Sequence, residues 1–207
     1  MAMAMQSVGF VRVSPRRPGL RPGDLAIGAR IAAAVFRTDL GWMGVAGRDE
    51  ELAQVVFGYP SRERAERTLA SRVGRRTSLA ASHGSLESVV DLLTRYAAGE
   101  AVDFSDVSLA LDHLTPLARR IVAACRSIPR GEVISYGELA SACGAPGAAR
   151  AVGSVMAQNR HPLVVPCHRV VAADGSLGGY SAPDGLRMKR RLLALEGAPL
   201  GNVRAGV

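Results

Sequence analysis

Long apolar runs are missing from this chain, and nothing approaches the ~20 consecutive apolar residues a membrane-spanning helix needs. Cysteine is scarce. Cys125, Cys143 and Cys167 are odd in number, widely spaced and form no CxxC pair, which argues against a disulfide framework and for a reducing compartment. The four histidines (His83, His113, His161, His168) do not pair with the cysteines at finger spacing, so no metal site is expected. Lysine is nearly absent, and arginine supplies all the positive charge except Lys189. With the abundant alanine, this reads as compositional bias rather than function. What remains is a chain of 207 residues, 48% hydrophobic, long enough for one large domain or two small ones with real cores.

The positive charge is unevenly placed. Residues 116–207 carry 12 Lys+Arg against 5 Asp+Glu, whereas residues 1–115 carry 14 against 13. A basic C-terminal half points to an anionic partner, of which nucleic acid is the commonest, with a solvated basic face as the alternative.

Residues 1–27 are rich in Arg, Pro, Gly and Met and read as a flexible tail. They resemble a weak organelle-targeting peptide but lack the apolar core of a secretory signal. Residues 28–113 read as an N-terminal α/β domain. Three short strands at 32–36, 42–46 and 52–57 make a meander, and a helix over 61–73 is capped by Ser61 with Ala65, Leu69 and Val73 on one face. A second helix covers 85–98, with Val89, Leu92, Leu93 and Tyr96 inward. Near-alternating apolar residues from Val102 to Leu111 predict an extended connector.

Residues 114–207 read as a second, mostly helical domain. Pro116 suits the first turn of a helix running to about Ser127. Ser135 caps a helix over Tyr136–Ala142, with Glu138 placed for a capping box. After Cys143-Gly144-Ala145-Pro146-Gly147 a second helix runs from Ala148 to about Gln158, which completes a helix-turn-helix. Its small-sided face, Ala148-Ala149-Arg150-Ala151-Val152-Gly153, suits either close approach to a nucleic-acid groove or tight helix–helix packing. Beyond a turn at 173–176, Gly178-Gly179-Tyr180-Ser181 reads as a loop for close backbone approach to a ligand. A last helix spans Leu186–Glu196, with Lys189, Arg190 and Arg191 as its basic part.

Within this half, Val165-Pro166-Cys167-His168-Arg169-Val170 places a thiol beside an imidazole. A cysteine with a pKa of about 8.5 is mostly protonated at neutral pH, and a nucleophile must lose that proton. An extended segment would point the two side chains to opposite faces, so a bridging water or a third group would have to complete the relay. Taken alone, the pair reads more readily as a core cysteine than as a nucleophile.

A candidate thiol, a helix-turn-helix and excess positive charge now lie in one unit. The residues run collinearly with one known family through Pro129–Ala140, Gly147–Gly153, Asn159 to the PCHRV core, Gly178–Ser181 and Gly185–Gly197. Over residues 116–197 the chain resembles the O6-alkylguanine-DNA alkyltransferases. Weaker matches upstream are Thr38-Asp39-Leu40-Gly41 and Leu93–Gly99.

The resemblance implies a ribonuclease-H-like α/β first domain and a winged-helix second one. It implies direct-reversal repair of double-stranded DNA containing O6-alkylguanine, with O4-methylthymine as a further substrate. Cys167 would take the alkyl group irreversibly, one lesion per molecule. His168 would accept the thiol proton through a water, Glu196 would hold the imidazole, and Tyr136 would donate to the departing guanine. Arg150 would fill the gap left by a flipped nucleotide, and Asn159 would act as a hinge. Tyr180, Ser181 and the backbone around Val170 would form the guanine pocket, and Lys189 would favour thiolate. The resemblance implies no cofactor, no membrane association, a monomer, and a cytoplasmic, nucleoid-associated location. A non-catalytic alkyltransferase-like lesion binder is the alternative, but such proteins lack the cysteine that Cys167 provides. Two stretches depart from the family pattern. Leu117-Ala118 and Ile121-Val122 replace bulkier packing residues, and Ser181-Ala182-Pro183-Asp184-Gly185 is longer and more acidic than usual.

Overall fold

Ile31 to Phe36 is apolar at every position rather than alternating, as a strand covered on both faces must be, and all six residues are buried. In the computed structural model, which describes residues 31–48, 50–73, 79–80 and 84–198, this segment is part of β1 (Ile31–Thr38). The expected tail, residues 1–27, lies outside the described residues, as does Asp49 between the second and third strands. The described chain divides into two compact units, with residues 106–110 in the first and residues 99–105 in the second.

In the first unit β1, β2 (Gly41–Arg48) and β3 (Glu51–Tyr59) form the expected antiparallel meander. A short β4 (Leu79–Ala80), which sequence reasoning did not find, pairs in parallel with β1, so the sheet order is β3-β2-β1-β4. Two residues carry too little periodicity to register as a strand. α1 (Arg62–Val73) starts where Ser61 Oγ accepts from the Arg64 amide at 3.3 Å, and it buries Ala65, Leu69 and Val73 as its spacing predicts. α2 (Gly84–Ala97) buries Val89, Leu93 and Tyr96 and leaves Leu92 half-buried. Both helices close tightly on β2. A Cβ on Gly44 would meet Leu69 of α1 at 3.2 Å, and one on Gly47 would meet Leu86 of α2 at 3.0 Å. The connector joins the sheet locally, with Leu52 N–H donating to Ser108 O at 2.8 Å and Ala110 N–H to Leu52 O at 2.9 Å.

In the second unit α3 (Pro116–Arg126) is capped by Thr115, whose Oγ1 accepts from the Ala118 amide. α4 (Tyr136–Ala142) begins at the expected capping box, Ser135 and Glu138 each accepting from the other's backbone N–H. α5 (Ala149–Ala157) follows the Gly-containing turn, and α6 (Leu186–Leu195) closes the unit. Two-residue strands β5 (Ile134–Ser135) and β6 (Val170–Val171) pair in parallel. This ladder sets the start of α4 beside the segment that follows Cys167.

Candidate active site

The reactive segment corrects the sequence reading. Cys167–Arg169 is a single 3-10 turn rather than part of a strand. Arg169 N–H donates to Pro166 O at 2.9 Å and the Val170 amide to Cys167 O. The proline ring restricts φ at the start of the turn, and extended geometry resumes only at β6. At about three residues per turn, Cys167 and His168 are not held on opposite faces as in a strand. Both side chains are buried.

Asn159 lies just beyond α5. Its Nδ2 donates to Val165 O at 2.9 Å and to Cys167 Sγ at 3.2 Å, while its Oδ1 accepts from the His161 amide at 2.9 Å. The residue expected to act as a hinge therefore also touches the thiol. Glu196 caps the C-terminus of α6, and its Oε1 accepts from His168 Nε2 at 2.9 Å. Lys189, expected on the basic face of α6, is instead fully buried, and its ammonium donates to the carbonyls of Val170 (2.6 Å) and Leu177. Tyr136 opens α4, and a Cβ placed on Gly178 would come within 3.1 Å of its phenol oxygen. The glycine thus lets the loop backbone close against that ring. Tyr180 is half-buried and its side chain acts on the Cys167 thiol, whereas Arg150 and Ser181 stand at exposed positions.

Burial pushes the Cys167 thiol above its ordinary range. The Asn159 hydrogen bond, the Lys189 charge and the Tyr180 hydrogen bond pull it back down. Burial lowers His168 against the opposing pull of Glu196, so the imidazole is disposed to be neutral and able to accept a proton. Burial brings Lys189 down to about 8. Burial and the neighbouring Cys167 raise Tyr136, which keeps its phenol protonated as a donor.

Arg169 was missed from sequence. Its Nε donates to Glu196 Oε2 and its Nη2 to Oε1, each at 2.8 Å, and its Nη1 donates to Ile128 O at 2.6 Å. Arg130 likewise ties Leu195 O, one residue before Glu196, to the carbonyls of Gly99 and Glu100. Nothing in the local sequence signals either bond, because the partners lie 27 and 65 residues away. On the small face of α5, Val152 is buried while a Cβ on Gly153 would meet nothing within 4 Å, so helix packing does not demand this glycine.

A buried thiol hydrogen-bonded by an amide, beside an imidazole–carboxylate pair, is suited to nucleophilic group transfer. A sequence model described as the DNA-binding domain of 6-O-methylguanine DNA methyltransferase matches residues 116–198. The methylated-DNA–protein-cysteine methyltransferase of Mycobacterium bovis is 46% identical over 121 residues, covering 58% of this chain and 71% of that protein. Its counterpart from Mycolicibacterium paratuberculosis is 41% identical over 157 residues, covering 76% of this chain and 87% of that protein. The crystal structure of Mycobacterium tuberculosis OGT in complex with DNA matches with a TM-score of 0.64 and 36% identity, over 83% of this chain and 96% of that one. With the thiol, its imidazole–carboxylate pair and the helix-turn-helix all in place, the chain belongs to the family of methylated-DNA–protein-cysteine methyltransferases.

Proposed function

We propose that this protein repairs DNA by direct reversal, moving the alkyl group of O6-alkylguanine in double-stranded DNA onto Cys167, with O4-methylthymine as a second substrate. The observation that carries the reading is the Cys167 thiol, held at 3.2 Å by Asn159 in the same turn as a His168 bonded to Glu196. Residues 114–207 would carry both chemistry and DNA binding.

In the reaction the sulfur forms a bond to the alkyl carbon while the carbon–O6 bond breaks. The thiol proton passes to His168 at Nδ1, the ring nitrogen not bonded to Glu196, through an intervening water. The electron pair leaves with the guanine, and Tyr136 donates to it, which lowers the leaving-group barrier. Lys189 and Asn159 stabilise the thiolate before attack. The alkyl carbon is unreachable inside stacked DNA, so the nucleotide must flip out. Arg150, exposed in the first turn of α5, would occupy the gap. Tyr180, Ser181 and the backbone near Val170 would hold the flipped base. The product is a thioether that no group in the site can hydrolyse, so each molecule acts once.

A lesion-binding protein without chemistry would have no use for a thiol set in the same turn as an imidazole bonded to a buried carboxylate. Among the described residues no helix is long and apolar enough to cross a membrane, and a DNA substrate would place the protein in the cytoplasm, at the nucleoid. Intact-protein mass spectrometry after incubation with an O6-methylguanine duplex tests the reading. The expected gain is one methyl group replacing one hydrogen, absent in Cys167→Ala. Tight lesion binding with no gain in mass would leave a sensor instead of an enzyme.

A further inference from the structure

Glu196 is an unfavourably placed carboxylate. Its side chain is fully buried, and it caps the C-terminus of α6, where the helix dipole already presents partial negative charge. A buried carboxylate needs a counter-charge with good geometry. Among its partners are the His168 imidazole through Nε2 and the Arg169 guanidinium through a two-pronged fork. If His168 supplied the charge, it would enter the reaction already protonated and could not accept the thiol proton.

We propose that Arg169 is a positioning residue of the proton relay: it neutralises Glu196 through the fork, so that His168 rests as a neutral base instead of an imidazolium. This rests on the reading of Cys167 as the alkyl acceptor. The third bond, from Nη1 to Ile128 O at 2.6 Å, anchors the guanidinium at the end of α3. The Arg169 side chain is only 11% exposed, so solvent screens the pair weakly. The charged groups acting on His168 include Glu196 and Lys189 from α6 and Arg169 from its own turn, and the Cys167 and Cys125 thiols lie within electrostatic reach of Lys189. Lys189 cannot take over the role of Arg169, since its ammonium is engaged by the carbonyls of Val170 and Leu177. The direction of the His168 shift agrees with the geometry. Burial lowers it first, Glu196 opposes, and the positive charges of Arg169 and Lys189 lower it further.

Single-turnover methyl transfer as a function of pH, in wild type, Arg169→Gln and Arg169→Lys, tests the proposal together with NMR of 15N-labelled histidine in the wild type. Without the guanidinium, His168 holds its proton to higher pH. The acid limb of Arg169→Gln is therefore expected to move up by about one pH unit, roughly a tenfold loss on that limb relative to its own plateau. Arg169→Lys, with a charge but no fork, keeps the wild-type limb at a lower plateau. NMR is expected to find a neutral His168 ring in the wild type at pH 7. An unshifted limb in Arg169→Gln, an equal shift in both variants, or an imidazolium in the wild type would overturn the proposal. If Arg169→Gln does not fold, the lysine variant and the wild-type NMR decide it. Failure of the repair reading looks different, since the wild type would then gain no methyl mass at any pH.

Discussion

Asn159 makes contacts in three directions from one amide, to the thiol, to Val165 O and to the His161 backbone. Because its bond to Cys167 lowers the thiol pKa, Asn159→Ala raises it. Iodoacetamide alkylation of Cys167 should then rise with pH later than in the wild type, and methyl transfer at neutral pH should fall roughly tenfold, the usual scale for a hydrogen bond to a charged group. Lys189 sets the opposite limit. With a pKa of about 8, its charge assists the thiolate below that pH and is lost above it. Lys189→Met strands the carbonyls of Val170 and Leu177, so unfolding in urea should show a loss of about 2 kcal/mol or more. The thiol and imidazole were legible in the sequence because they stand side by side and their chemistry is carried by residue type, whereas Glu196 came only from the family resemblance. The fork from Arg169 was not, because a surface arginine and a buried one are spelled the same way.

At the scale of elements, helix starts were readable and the reactive turn was not. Ser135 and Glu138 are three residues apart and complete a capping box within one helical turn, a purely local bond pattern. Ser135→Ala should cost about 1 kcal/mol, measured as a lower urea midpoint. The 3-10 turn at Cys167 leads directly into β6, which pairs with β5 through residues 36 positions apart in the register Ile134↔Val170. Periodicity cannot report such a contact. For α5 the open space at Gly153 yields a separable pair of effects. Gly153→Leu should leave Tm nearly unchanged yet weaken duplex binding in a fluorescence anisotropy titration. Arg150→Ala should slow transfer from duplex DNA far more than from a single strand, where the lesion is already unstacked. Equal slowing on both substrates would remove Arg150 from the flipping step.

Across the whole molecule the net charge is +8, but charge counted along the sequence overstates charge presented at the surface. Arg126, Arg130 and Lys189 donate to backbone carbonyls, and Arg169 to Glu196 and Ile128 O. Among the described residues from 114 on, the cations at exposed positions are Arg119, Arg120, Arg150, Arg187, Arg190 and Arg191. Duplex affinity should fall linearly on a log–log plot against salt, by roughly tenfold or more between about 50 and 200 mM. Arg130→Ala should lower Tm by removing three carbonyl contacts while leaving the salt slope unchanged. A reduced slope in that variant would place Arg130 on DNA instead.

By itself the sequence determined the helices, the meander, the capping box, the helix-turn-helix and the candidate thiol. Each of these is written in residue type and in spacings of a few positions. Only the tertiary structure decided the rest: that Cys167 sits in a 3-10 turn, that Lys189 is buried, that β4 pairs with β1, and that Arg169 neutralises Glu196. Those facts depend on which distant segments share a low-dielectric interior. There an unpaired charge or carbonyl is costly, and packing rather than local propensity selects its partner.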